Sequence, residues 1–140
     1  MHGLLPMLFF KESFMMIHRL SATSEALKVI EMLKNEYGEL VFNQSGGCCD
    51  GTAPMCYEKK DFHVPSRNIK LGTVGGCDFF IDPDQFEYFR YSQIILDVKE
   101  EKSAFGNSFS LEIDEGYQFV TRSRIFSDEE NRLLKEQEGN

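Results

Sequence analysis

Apolar residues recur at helical spacing over residues 24–37, where Ala26, Val29, Ile30, Leu33 and Tyr37 fall at i, i+3, i+4, i+7 and i+11. Glu25, Lys28, Glu31 and Lys34 fall largely elsewhere, so the segment reads as an amphipathic helix with one buried stripe. Thr23 is placed to cap its first turn and Gly38 to stop it. The run Leu40-Val41-Phe42-Asn43-Gln44 then reads as a strand that enters a loop too rich in glycine to continue a sheet, Ser45-Gly46-Gly47-Cys48-Cys49-Asp50-Gly51. Further along, the pattern changes to short extended runs at 62–64, 69–71, 79–81, 94–98, 108–112 and 117–121. Pro65, Gly72, Gly75-Gly76, Gly106 and Gly116 punctuate them. Asp82-Pro83-Asp84-Gln85 interrupts the series with a helix start, Asp82 as cap and Pro83 at the first helical position, predicting a short helix to about Phe89. Ser127-Asp128-Glu129-Glu130 repeats a capping box before a final helix.

No internal repeat, low-complexity tract or linker divides the chain. We expect an N-terminal extension over residues 1–20, one globular domain over 21–126 and a helical tail over 127–140. With strands mostly contiguous and helices set apart, the fold class is α+β, a compact β-rich single domain with an N-terminal amphipathic helix, a short inserted helix and a C-terminal tail helix. Thirteen Phe and five Tyr suit half-buried pleated surfaces. Phe86, Tyr88 and Phe89 read as core aromatics, and Glu87 with Arg90 as a helical surface pair.

Charge narrows the function classes. Fifteen Lys plus Arg stand against 23 Asp plus Glu, a formal charge of -8 that repels phosphate backbones and anionic headgroups, so neither a nucleic acid nor a membrane is an expected partner. The apolar run at residues 3–10 is too short to span a bilayer, is broken by Pro6 and lacks the basic start and small-residue cleavage site of a leader. The expectation is a cytoplasmic protein with reduced thiols. Arg122 and Arg124 are the one local basic spot, sharing a strand face by parity; they read first as solvated strand-end arginines, and otherwise could bind an anion or pair with the acidic cysteine loop.

All four cysteines, Cys48, Cys49, Cys56 and Cys77, lie within thirty residues of one another. Paired glycines precede both Cys48 and Cys77, each beside a predicted strand and followed by an aspartate, Asp50 or Asp78. Sharp turns of this kind let thiolates converge on one ion. Sulfur ligands favour zinc, copper(I) or iron, including iron-sulfur units, over magnesium or calcium. The candidate metal ligands are Cys48, Cys49, Asp50, Cys56 and Cys77, with Cys48 and Cys77 first and His63 as a further candidate. The spacing matches no paired C-x-x-C grammar. The structural alternative is that individual cysteines are small apolar fillers. A reactive thiol is disfavoured because the flanking aspartates raise a thiol pKa. No serine-nucleophile, zinc-protease, phosphate-loop or dinucleotide fingerprint is present.

The runs Gln44-Ser45-Gly46-Gly47-Cys48-Cys49-Asp50-Gly51, Pro54-Met55-Cys56-Tyr57, Gln85-Phe86-Glu87-Tyr88 and Thr121-Arg122-Ser123-Arg124 resemble a small uncharacterised bacterial family catalogued as domain of unknown function 779, over about residues 21–126. Members are often encoded near aldehyde dehydrogenases. The resemblance therefore implies an accessory role around alcohol or aldehyde oxidation, with an aldehyde dehydrogenase as partner. A more distant resemblance is to HesB/IscA-type iron-sulfur carriers, in the order of an initial helix, a strand entering Gly46-Gly47-Cys48, a strand entering Asp82-Pro83 and a late strand at Ser108-Phe109-Ser110-Leu111. It implies a HesB-like fold with Cys48 as the loop cysteine. The carriers' C-terminal Cys-x-Cys pair has no counterpart near residues 121–124. The expected function is a non-enzymatic metal-binding accessory protein holding a metal ion or an iron-sulfur cluster. Its rivals are a metal-free interaction module or chaperone for the dehydrogenase and a thiol enzyme. The sequence leaves the identity of the metal and a homo-oligomeric state open.

Overall fold

The computed structural model describes residues 16–45, 54–101 and 110–139. Among them are seven strands and three α-helices. β1 (Leu20–Ala22) leads into α1 (Ser24–Tyr37), followed by β2 (Leu40–Gln44), β3 (Met55–Glu58), β4 (Ile69–Val74) and β5 (Cys77–Ile81). Then come α2 (Pro83–Phe89), β6 (Ser92–Glu100), β7 (Tyr117–Ile125) and α3 (Asp128–Gln137). The strands form two mixed sheets, β1-β6-β7 and β3-β2-β5-β4. β1 runs parallel to β6 and β2 parallel to β5, while the other pairs are antiparallel. The result is the mixed α+β class.

The expected caps are present. The Thr23 hydroxyl accepts from the Ala26 N–H, Asp82 caps α2, and Ser127 with Glu130 forms a reciprocal capping box on α3. The α1 stripe Ala26, Val29, Ile30 and Leu33 is buried, as its spacing predicts. β2 is buried at all five positions because it lies between β3 and β5 with covered faces on both sides. Phe42 stacks on Phe79 within its sheet at 5.7 Å and meets Phe119 of the opposite sheet edge-on at 5.0 Å, so the core is the space between the two sheets.

Both pairs of outer edges draw together. At one, Gly72 of β4 lies so near Leu20 of β1 that an added Cβ would sit 3.4 Å from the Leu20 Cβ. This explains why Gly72, expected to end a strand, lies inside one: it admits the neighbouring strand and sits at a register shift between Lys70 and Gly72. At the other edge, residues 111–115 form a 3-10 turn instead of ending a strand, and that turn fills the gap between β3 and β7.

Other expectations need correction. Residues 62–64 form no strand and follow a 3-10 turn at Lys59–Asp61. β3 and β1 were not anticipated, and β7 continues well past residue 121. Tyr88 is not a core aromatic, being 80% exposed, because α2 is too short to bury more than one face. Phe86 and Phe89 pack against the core as expected, and Glu87 pairs with Arg90.

Candidate functional site

β2 and β3 form an antiparallel pair whose connection, residues 45–54, carries the Cys48-Cys49-Asp50 run. Those three residues lie outside the described residues. What the structure fixes is the base from which they leave and to which they return. Phe42 stands opposite Cys56, and Asn43 opposite Met55, so Gln44 and Pro54 flank the mouth of the loop. Side chains alternate along a strand, which places Gln44, Phe42 and Cys56 on one interior face.

Cys56 is fully buried and its thiol free. Its backbone N–H, on the edge of β3 away from β2, donates to the Ser110 hydroxyl at 2.8 Å. Ser110 in turn donates to one oxygen of Glu112, and the other oxygen accepts the Phe119 N–H of β7 at 2.9 Å. A buried carboxylate and a hydroxyl thus stitch the two strand edges that no ladder joins. Burial raises the Glu112 pKa, opposed by the hydrogen bonds from Ser110 and from the Phe119 N–H. The Cys56 thiol is pushed far above its ordinary range, first by burial, then by the Glu112 charge and then by Cys77.

Gln44 is fully buried as well. Its side-chain nitrogen donates to the Gln85 side-chain oxygen at 3.3 Å, whereas its own oxygen has no hydrogen-bond partner among the described residues. A buried carbonyl without a donor costs about 1–3 kcal/mol.

Cys77 is placed differently. Gly75 and Gly76 adopt φ of 57° and 79°, the two-residue hairpin turn that requires positive φ at both positions, and Cys77 follows at once on the core side of β5. Because Val41 stands opposite Asp78, Cys77 lies level with Leu40, at the entry of β2. The loop with Cys48 leaves from the far end of that strand, about 13 Å away at roughly 3.3 Å per residue. Register therefore places Cys56 nearer than Cys77 to the end of β2 from which the loop leaves. The Cys77 thiol donates to the Gly75 carbonyl at 3.7 Å and borders a cleft of about 280 Å³ whose charges are mixed, Lys34 and Lys59 against Glu39 and Asp78. Burial raises its pKa, with Lys34 and the Leu40 N–H opposing.

His63 is exposed on the segment after the 3-10 turn. No group of three or more His, Cys, Asp or Glu side chains placed to hold a metal ion occurs among the described residues. Arg122 and Arg124 pair with Asp97 and Glu130, acids of β6 and α3 and not of the cysteine loop. The sequence reading missed Glu112, Ser110 and Gln44. Gln44 carried one signal, since it ends a run without polar alternation, the mark of a strand covered on both faces. No helix among the described residues is long and apolar enough to cross a membrane.

A family model described as a domain of unknown function (DUF779) matches residues 29–125. No curated protein matches the chain.

Proposed function

Because this chain belongs to the DUF779 domain family, whose description carries no activity, we propose its role from the site: a non-enzymatic, metal-binding accessory protein. Its ion is held where the Cys48-Cys49-Asp50 loop meets the β2–β3 pair. The observation that carries this reading is the buried thiol of Cys56 beside the return of a loop that itself supplies two thiols and a carboxylate. Three sulfurs and an oxygen suit one four-coordinate zinc or iron ion. They suit a four-cysteine iron-sulfur cluster less well, because Cys77 sits at the other end of β2. The proposed parallel with carriers of HesB/IscA type is weakened, because Leu111 lies in a 3-10 turn and not in the expected late strand, and the ligand set here differs. Raised thiol pKa values argue against the thiol-enzyme alternative, since the nucleophile is the thiolate.

Purification without oxygen followed by elemental analysis tests the reading. We expect near-stoichiometric zinc or iron that is lost in Cys48→Ala and Cys56→Ala and kept in Cys77→Ala, with circular dichroism confirming that each variant folds. Trace metal unaffected by any of these substitutions rejects it.

A second reading, a protein-interaction module or chaperone for an aldehyde dehydrogenase, draws support from Tyr88, Tyr91 and Ile125, large apolar side chains that stand 61–80% exposed. Capture of that enzyme by a variant lacking all four cysteines would favour it over the metal-binding reading.

A further inference from the structure

β7 is an outer strand of its sheet, and its edge away from β6 divides in two. The Phe126 N–H donates to the Tyr91 carbonyl and the Glu101 N–H to the Gly116 carbonyl, so the even-numbered residues of β7 turn their backbone groups toward β6. Those of Phe119, Thr121, Ser123 and Ile125 point outward. The Phe119 N–H is taken by Glu112, where the 3-10 turn fills the gap to β3. Past that point the edge is open: the outward N–H and C=O groups of Thr121, Ser123 and Ile125 have no hydrogen-bond partner among the described residues, and residues 122–125 are exposed. An open strand edge is a template for another strand. A second copy added about a twofold axis would run antiparallel. Every register joining at least two of these three residues to their counterparts then sets Arg122 against Arg122, Arg122 against Arg124, or Arg124 against Arg124. Like charges directly opposite disfavour that pairing, so the arginines keep the chain from adding to itself.

We propose that this edge receives an extended segment of a different protein, with a carboxylate opposite Arg122 and an apolar side chain opposite Ile125. The two arginines differ in what they have left to give. Arg124 spends both terminal nitrogens on Glu130, at 3.0 and 2.9 Å. Arg122 gives only its Nε–H to Asp97, at 2.8 Å, and its terminal nitrogens have no partner among the described residues on a side chain 67% exposed. Ile125, on the opposite face of the pleat, is 79% exposed. Main-chain hydrogen bonds to Thr121, Ser123 and Ile125 supply the affinity, and the two side chains supply the selectivity. One carboxylate is recognised and not an acidic run, because the formal charge of -8 repels a run of acids. The proposal holds whether or not the cysteine loop binds an ion.

The test follows the backbone amide NMR signals of the full chain during titration with a capped peptide, Ile-Thr-Thr-Glu-Thr. In antiparallel register this peptide sets its isoleucine opposite Ile125 and its glutamate opposite Arg122. One comparison peptide carries lysine for the glutamate, and another carries N-methyl groups on the amides that face β7. We expect the Thr121, Ser123 and Ile125 signals to shift, the affinity to fall about fivefold or more for the lysine peptide, and binding to vanish for the N-methylated one. Arg122→Gln should keep binding and erase the preference for glutamate over lysine. Ser123→Pro removes an outward N–H that β6 does not use, and should abolish binding with the thermal midpoint kept. Should that variant fold poorly, the N-methylated peptide tests the same hydrogen bonds on the wild-type chain. Absence of shifts with the unmodified peptide, equal shifts with the N-methylated one, or a glutamate preference that persists in Arg122→Gln overturns the proposal. So does concentration-dependent dimerisation of the peptide-free chain that Ser123→Pro abolishes, which would make a second copy the occupant.

Discussion

Glu112 shows what one residue does when it stands in for a missing strand ladder. Its carboxylate accepts the Phe119 N–H and the Ser110 hydroxyl, which itself accepts the Cys56 N–H, so three elements depend on it. Glu112→Ala leaves the Phe119 N–H unpaired in the core, and we expect a loss of at least about 1–3 kcal/mol in urea unfolding. The pH dependence has a definite sign. Burial raises the folded pKa above the ordinary carboxyl value, so the folded state holds the proton to higher pH than the unfolded chain. The stability associated with this group is therefore greatest at low pH and declines as pH rises from the ordinary carboxyl range until the folded carboxyl has ionised. Glu112→Gln, which keeps the shape, should remove that decline, and unfolding curves at several pH values in both proteins check it. Nothing in the sequence marks Glu112. It occupies an alternate position of an expected strand, and its role is set by Ser110, Cys56 and Phe119, which meet only across a gap between sheets.

At the scale of elements, structure set by local contacts is legible in the sequence. The α1 stripe, the caps on all three helices, the Gly75-Gly76 turn and the β2 strand rest on interactions among residues a few positions apart. The misreadings have a common cause. Gly72 and residues 111–115 owe their conformations to partners distant in sequence, Leu20 in one case and the β3 and β7 edges in the other. Two glycines with positive φ separate local from tertiary demands. Gly116 and Gly75 share the backbone constraint, but a Cβ at Gly116 meets open space, whereas at Gly75 it lies 2.9 Å from the Ile30 Cγ2. Gly116→Ala should cost about 1–2 kcal/mol from backbone strain alone. Gly75→Ala should cost about 1–3 kcal/mol more, because the hairpin can no longer pack on α1. Thermal or denaturant unfolding of the two variants side by side distinguishes them.

At the scale of the whole molecule, the two sheets enclose one core and leave the cysteine loop rooted at one end of β2 and Cys77 at the other. The thiol of Cys56 carries its proton at neutral pH, since burial and the Glu112 charge both oppose ionisation. Under the proposed metal-binding role, metal entry displaces that proton. We expect metal affinity to rise steeply with pH, by about a factor of ten per unit for each thiol deprotonated. Proton release on cobalt(II) addition in weakly buffered solution measures it. An affinity flat between neutral and mildly alkaline pH would mean that no protonated thiol becomes a ligand.

The sequence by itself determined the mixed α+β class, the amphipathic first helix, the helix caps and the concentration of sulfur in one stretch, because each follows from contacts or spacings within a few residues. Only the tertiary structure decided which described thiol lies nearer the end of β2 from which the cysteine loop leaves. That choice depends on strand register, with Phe42 opposite Cys56 and Asp78 opposite Val41, and register is fixed by the packing of whole faces in the core. The same packing buried Glu112 and Gln44, two polar side chains whose surroundings come from segments that the linear order keeps apart.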